Sequence, residues 1–126
     1  MDYVITTGVD IVEVERFENL ERTSRTAKNT YTNRELSDCF QKANPAQSLA
    51  ARFAAKEAVV KCIGNIRYNK IEIINKKDHR PKIRLLDKKL SKQYNLAISL
   101  SHTDQFAIAV CVACKNTLFN GKRYWI

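Results

Sequence analysis

Apolar and polar positions along this chain divide it into a strand at the front, a helical middle and a strand-rich second half. Residues 3–12, YVITTGVDIV, are rich in β-branched types and read as a strand that carries Gly8 and ends near Asp10. In residues 13–21, EVERFENLE, Val14, Phe17 and Leu20 recur at helical spacing, which predicts a helix. The polar run TSRTAKNT that follows predicts a loop. Thr32 and Glu35 have the Thr-x-x-Glu form of a capping box and predict a short amphipathic helix to about Ala43.

Asn44 then offers an N-cap, Pro45 occupies the favoured first helical position and Gly64 a stop, so a long helix is predicted over about 45–63. Leu49, Phe53, Val60 and Ile63 supply its core stripe, and its alanines permit close packing. Residues 70–75, KIEIIN, alternate as a strand, and 82–86, KIRLL, follow a turn at Asp78-His79-Arg80-Pro81. A short helix near 87–94 precedes two strand-like runs, 96–101 and 105–114, joined by a tight turn at His102-Thr103-Asp104. The expected fold class is α+β, a largely antiparallel sheet packed against one long helix with additional short helices.

With 126 residues the chain has the size of one domain, and 44% hydrophobic content suits a globular protein with a real core. We expect a single domain over 1–114, with 115–126 as a C-terminal extension of it. Lysine and arginine exceed aspartate and glutamate by 22 to 13, a formal +9, spread along the chain with local clusters such as Lys76-Lys77 and Lys88-Lys89. This predicts a positive surface that attracts a phosphorylated ligand, an acidic protein or nucleic acid. No run reaches the roughly 20 apolar residues that cross a bilayer, and no leader pattern opens the chain, so the expected location is cytoplasmic, without a membrane partner. The cysteines at 39, 62, 111 and 114 are expected to be reduced packing residues, the CxxC spacing of the last two included.

The run Arg52–Lys61, RFAAKEAVVK, concentrates one carboxylate and three cations in the long helix. Glu57 and Lys61 lie one turn apart, as do Arg52 and Lys56. A carboxylate beside cations suits a hard ion such as Mg²⁺ that grips a substrate diphosphate, and Asp10 is a candidate second ligand. The ordinary alternative is a set of solvated ion pairs on an exposed face.

Three blocks stand in order: Gly8-Val9-Asp10-Ile11-Val12-Glu13-Val14 with Arg16 after it, Arg52-Phe53-Ala54-Ala55-Lys56-Glu57-Ala58 with Lys61, and Ser99-Leu100-Ser101-His102. Together they resemble the holo-acyl-carrier-protein synthase family of 4′-phosphopantetheinyl transferases. The resemblance implies Mg²⁺-dependent transfer of the phosphopantetheine arm of coenzyme A to a serine of an apo acyl carrier protein. It implies Asp10 and Glu57 as metal ligands, and Glu57 and Lys61 as the catalytic pair, with the residue that moves the proton left open between them. Arg52, Lys61, Gly64, Pro81, Ser101 and His102 would contact coenzyme A. Arg16, Arg22 and Arg25 would meet an acidic carrier, and the assembly would be a homotrimer with sites between subunits.

Each residue also has a plainer reading: Asp10 as a cap of the next helix, Arg52 and Lys56 as surface charges, His102 as an exposed turn histidine and Ser101 as a turn former. The chain departs from the family pattern after Lys61, where Gly64-Asn65-Ile66-Arg67-Tyr68-Asn69 is short and lacks a second glycine, and at His79-Arg80-Pro81, which lacks the usual glycine. These departures point to a divergent carrier preference or weak activity. A nucleic-acid-binding module would explain the charge but leaves Asp10 and Glu57 without a role. A catalytically silent carrier-binding homologue is the third reading.

Overall fold

Nineteen residues, Pro45–Ile63, form the longest helix, α3. Its start follows from Asn44, whose side chain accepts from the Gln47 N–H at 3.3 Å. Its end follows from Gly64, which adopts φ 97°, a conformation that other residues rarely take. This computed structural model describes residues 4–76, 80–116, 118–119 and 122–123. Before α3 come β1 (Ile5–Glu13), a 3₁₀ turn (Val14–Phe17), α1 (Arg25–Thr30) and α2 (Asn33–Phe40). After it come a second 3₁₀ turn (Tyr68–Lys70), β2 (Ile71–Ile74), β3 (Lys82–Leu85), α4 (Lys88–Gln93), β4 (Tyr94–His102), β5 (Phe106–Lys115) and a small pair, β6 (Leu118–Phe119) and β7 (Lys122–Arg123).

β1, β5 and β4 form an antiparallel sheet in that order, with Gly8 opposite Cys111 and Cys111 opposite Ile98. One face packs on α3. Small residues line that contact: Gly8 from β1, Ala107, Ala109, Cys111 and Ala113 from β5, and Ala50, Ala51, Ala54, Ala55 and Ala58 from α3. With so little side-chain volume the helix lies almost on the sheet. A Cβ built on Gly8 would stand 2.1 Å from the Ala58 carbonyl oxygen. Gly8→Ala is therefore expected to push α3 off β1 and to cost about 1–3 kcal/mol in chemical denaturation, with activity lost alongside.

Several expectations are corrected. β1 continues past Asp10 to Glu13, because pairing with β5 runs to Glu13 opposite Phe106. The helix expected over 13–21 is only the 3₁₀ turn at Val14–Phe17; the Val14 N–H is still held by the Gln105 carbonyl, which keeps the chain on the sheet edge. Val14 and Phe17 are nonetheless both buried. The expected loop over 23–30 contains α1, capped by the Ser24 hydroxyl and anchored by buried Ala27 and Thr30. With a single buried apolar residue, α1 has no periodicity to read. The capping box of Thr32 and Glu35 is present, and α2 stops at Phe40.

The β-structure is not one sheet. β2 and β3 pair only with each other, as do β6 and β7. The outer edge of β2 is satisfied by helix side chains instead of a strand. The Ile73 N–H donates to Glu35 Oε2 at 2.9 Å, and the carbonyls of Ile73 and Ile71 accept from Arg52 and Lys56. The predicted turn at Asp78-His79-Arg80-Pro81 and the Lys76-Lys77 cluster lie partly, and the aromatic end of the 115–126 tail wholly, outside the described residues. All four cysteines are free; Cys111 is buried. Among the described residues no helix is long and apolar enough to cross a membrane.

Candidate active site

The contact between β1 and α3 sets the site. Alternation along β1 turns Thr6, Gly8, Asp10 and Val12 toward the helix. Asp10 does not cap a helix: its Oδ1 lies 3.3 Å from Lys61 Nζ, and its Oδ2 is buried with no hydrogen-bond partner among the described residues. Lys61 also donates to the Val9 carbonyl at 2.8 Å and stays half exposed. The ion pair between Glu57 and Lys61 that the plainer reading offers is not formed. Lys61 leans toward the strand, and Glu57 Oε1 accepts the hydroxyl of Tyr68.

Tyr68 was not singled out by any sequence pattern. It stands in the short loop after α3, and only that loop's return across the helix brings its hydroxyl to Glu57. Donation to the Glu57 carboxylate, then burial, then the charges of Glu57 and Asp10 push its pKa up to about 12. Since the folded value lies above the ordinary tyrosine value of 10.0, this contribution to stability is complete below pH 10 and disappears as the pH rises through about 12. Denaturation curves of wild type and Tyr68→Phe should accordingly converge over that interval.

No group of three or more histidine, cysteine, aspartate or glutamate side chains able to hold a metal occurs among the described residues. A hard divalent cation that keeps water and substrate phosphates as ligands needs only one or two protein carboxylates. The unpartnered oxygen of Asp10, with Glu57 one turn before the lysine that contacts it, fits that donor set.

Arg52 and Lys56 are not surface charges. Lys56 is fully buried, with Nζ 2.6 Å from Glu35 Oε1 and 2.8 Å from the Tyr68 carbonyl, and it also donates to the Ile71 carbonyl. Burial pulls its pKa below the ordinary lysine value, opposed chiefly by the Glu35 charge. Glu35 completes its bonds with the backbone N–H groups of Thr32 and Ile73. The Thr32 hydroxyl in turn donates to the equally buried Glu72. Arg52 is buried too, donating to the Ile73 carbonyl and to Cys39 Sγ, with Asp38 at 3.8 Å. The residue type that could have signalled this is Lys56 itself, a cation set among alanines on the buried side of a helix.

Arg52, Pro81 and His102 line one cleft of ≈ 440 Å³, together with Asn44 and Gln47 at the start of α3. Gly64 lies beyond the other end of that helix, roughly 18 Å from Arg52 along its axis. Ser101 pairs with Ile108, which stands opposite Ile11, and so belongs to the sheet face turned away from α3. Within one chain the residues expected at coenzyme A therefore do not form a single pocket. Arg16, Arg22 and Arg25 are all exposed, and the Arg16 guanidinium sits 5.6 Å from the Phe53 ring centroid.

A long helix is packed on an antiparallel sheet, with Asp10 and Lys61 paired at their contact. Residues 6–111 match the 4′-phosphopantetheinyl transferase superfamily, and the chain belongs to that family. It is 37% identical over 121 residues to a holo-[acyl-carrier-protein] synthase of Geobacter metallireducens, covering 86% of this chain and 96% of the relative. The crystal structure of holo-[acyl-carrier-protein] synthase from Neisseria meningitidis superposes with a TM-score of 0.73 at 31% identity, covering 85% of this chain and 95% of that one. The Helicobacter pylori synthase in complex with coenzyme A gives a TM-score of 0.70 at 29% identity, with 86% and 99% covered.

Proposed function

We propose that this protein transfers the 4′-phosphopantetheine group of coenzyme A to a serine of an apo acyl carrier protein, in support of fatty-acid and lipid biosynthesis. The products are the holo carrier and adenosine 3′,5′-bisphosphate. The observation that carries this reading is the pairing of Asp10 with Lys61 across the β1–α3 contact, one turn from Glu57 on the same helix, with a buried Asp10 oxygen that the described protein groups leave free. The catalytic unit is a single domain over residues 1–114, with 115–126 an extension of it, working in the cytoplasm where its four cysteines stay reduced.

Asp10 and Glu57 would hold Mg²⁺, which when bound supplies positive charge to the diphosphate oxygens. The serine oxygen forms a bond to the phosphorus that carries the pantetheine arm, as the bond from that phosphorus to the departing nucleotide oxygen breaks. Glu57 accepts the serine proton. Lys61, half exposed and tethered to the Val9 carbonyl, offsets charge on the leaving diphosphate oxygen. Arg52 and His102 hold the 3′-phosphate of coenzyme A, with Pro81 and Ser101 near the nucleotide and Gly64 near the diphosphate.

Ser101 and Gly64 reach the same ligand only if sites are shared between subunits, which supports a homotrimer. The sheet face turned from α3 supports it as well. It exposes Ile5, Val9, Ile11, Phe106, Ile108, Val110 and Val112, with Val9 at 52% and Ile11 at 60%. A contiguous apolar face of that kind marks an interface. A fully active monomer by size measurement would overturn the shared site.

Arg16, Arg22 and Arg25 steer an acidic carrier to the site. Arg16→Glu is expected to raise the KM for the carrier about tenfold and to leave that for coenzyme A nearly unchanged; equal effects would remove Arg16 from carrier recognition. The central test is incubation with Mg²⁺, coenzyme A and apo-acyl carrier protein, followed by the intact mass of the carrier. A phosphopantetheine gain is expected. Coenzyme A binding without mass gain would indicate a silent homologue or a different carrier, and no binding would sink the reading.

A further inference from the structure

We propose that the Tyr68 hydroxyl is a positioning group that orients the Glu57 carboxylate toward the cation it shares with Asp10, an assignment that rests on the transferase reading above. Two neighbouring residues of α3 grip opposite ends of Tyr68. Lys56 holds its backbone carbonyl at 2.8 Å, and Glu57 accepts its hydroxyl. The Lys56 grip is itself anchored by Glu35, which is fully buried. Between the two ends the Tyr68 ring packs on Phe53, with centroids 5.5 Å apart, and Phe53 packs on Phe17 at the same distance. The hydroxyl is thus fixed by the backbone below and the ring stack beside it.

Glu57 otherwise has no support of this kind. It is a flexible side chain, half-buried, and the lysine one turn away on the same helix is committed to Asp10 and Val9 instead. A single donor on Oε1 removes rotamers that would point the carboxylate elsewhere and leaves the other oxygen for the cation. A ligand held from behind by a hydrogen bond binds metal more tightly than a free one, and loss of such a partner lowers affinity by about 10–100-fold in known sites. Tyr68 falls within the loop where this chain departs from its family's pattern, so the support is a property of this chain's own residues.

Tyr68→Phe keeps the ring stack and removes only the oxygen. Three quantities would be measured in wild type and variant: the thermal midpoint, Mn²⁺ affinity of the free protein by electron paramagnetic resonance, and kcat with KM for coenzyme A and carrier. We expect a modestly lowered midpoint at neutral pH, as the loss of one hydrogen bond implies, Mn²⁺ affinity weakened about tenfold, and a lower kcat with KM for carrier unmoved. Mn²⁺ affinity that is unchanged or tighter in the variant overturns the assignment, whatever the rate. Failure of the wild type to modify any carrier would instead overturn the transferase reading, while the Mn²⁺ comparison would still decide whether Tyr68 orients Glu57.

Discussion

Asp10→Ala is expected to abolish carrier modification while leaving the protein at least as stable as wild type. The two effects have one cause. Asp10 keeps a buried carboxylate oxygen without a protein partner, and a buried unsatisfied group of this kind costs about 1–3 kcal/mol. Its only ion-pair partner among the described residues, Lys61, is half exposed, so that pair returns little. Alanine removes the unsatisfied oxygen, and Lys61 retains its bond to the Val9 carbonyl. Turnover falls because Asp10 would no longer hold the cation that offsets charge on the phosphoryl group; the loss of one such electrostatic contact costs at least about 10²–10³-fold. Mass spectrometry of the carrier and thermal denaturation of the same samples would check both halves. A variant that is inactive and also strongly destabilised would show Asp10 to be a structural residue.

Lys56→Met should have the opposite profile, in which loss of stability comes first. The substitution leaves Glu35 with its charge in a fully buried position and frees the carbonyls of Tyr68 and Ile71. Breaking a buried pair by removing one partner costs about 3–5 kcal/mol, because the remaining charge is uncompensated. For a chain of this size that corresponds to a fall in Tm of about 10–20 °C. Adding Glu35→Gln should restore part of the loss, since the two sites share one network. Additive losses in the double variant would mean that Lys56 and Glu35 act independently. Because Lys56 holds the Tyr68 carbonyl, activity measured well below the lowered Tm should fall as well.

The long helix was legible because its signals are local. Asn44, Pro45 and Gly64 each act on their own few peptide groups, so both ends fall where those residues predict. The long strands were legible for a local reason too, since β-branched and apolar residues are dense in β1 and β5 and favour extended backbone. Helix α1 was not legible: Ala27 carries no pattern, and its burial depends on what the rest of the chain places against it. The separation of β2–β3 from the main sheet was also hidden. Glu35 looked like a capping residue and Lys56 like a surface cation, yet together with Arg52 they occupy the edge of β2.

By itself the sequence determined the ends of α3, the capped start of α2, and the chemical types at the site: a carboxylate in the first strand, and a carboxylate with a lysine one turn later in the helix. Those depend on short-range hydrogen bonding, backbone preference and side-chain chemistry. Tertiary structure alone decided the pairings. The close approach at Gly8 brought Lys61 to Asp10, and the short loop after α3 brought Tyr68 to Glu57. The same packing buried Lys56 against Glu35, which is 21 residues distant in the chain. Such contacts are set by how closely a helix and a sheet of small side chains can pack, a distance that no spacing along the chain encodes.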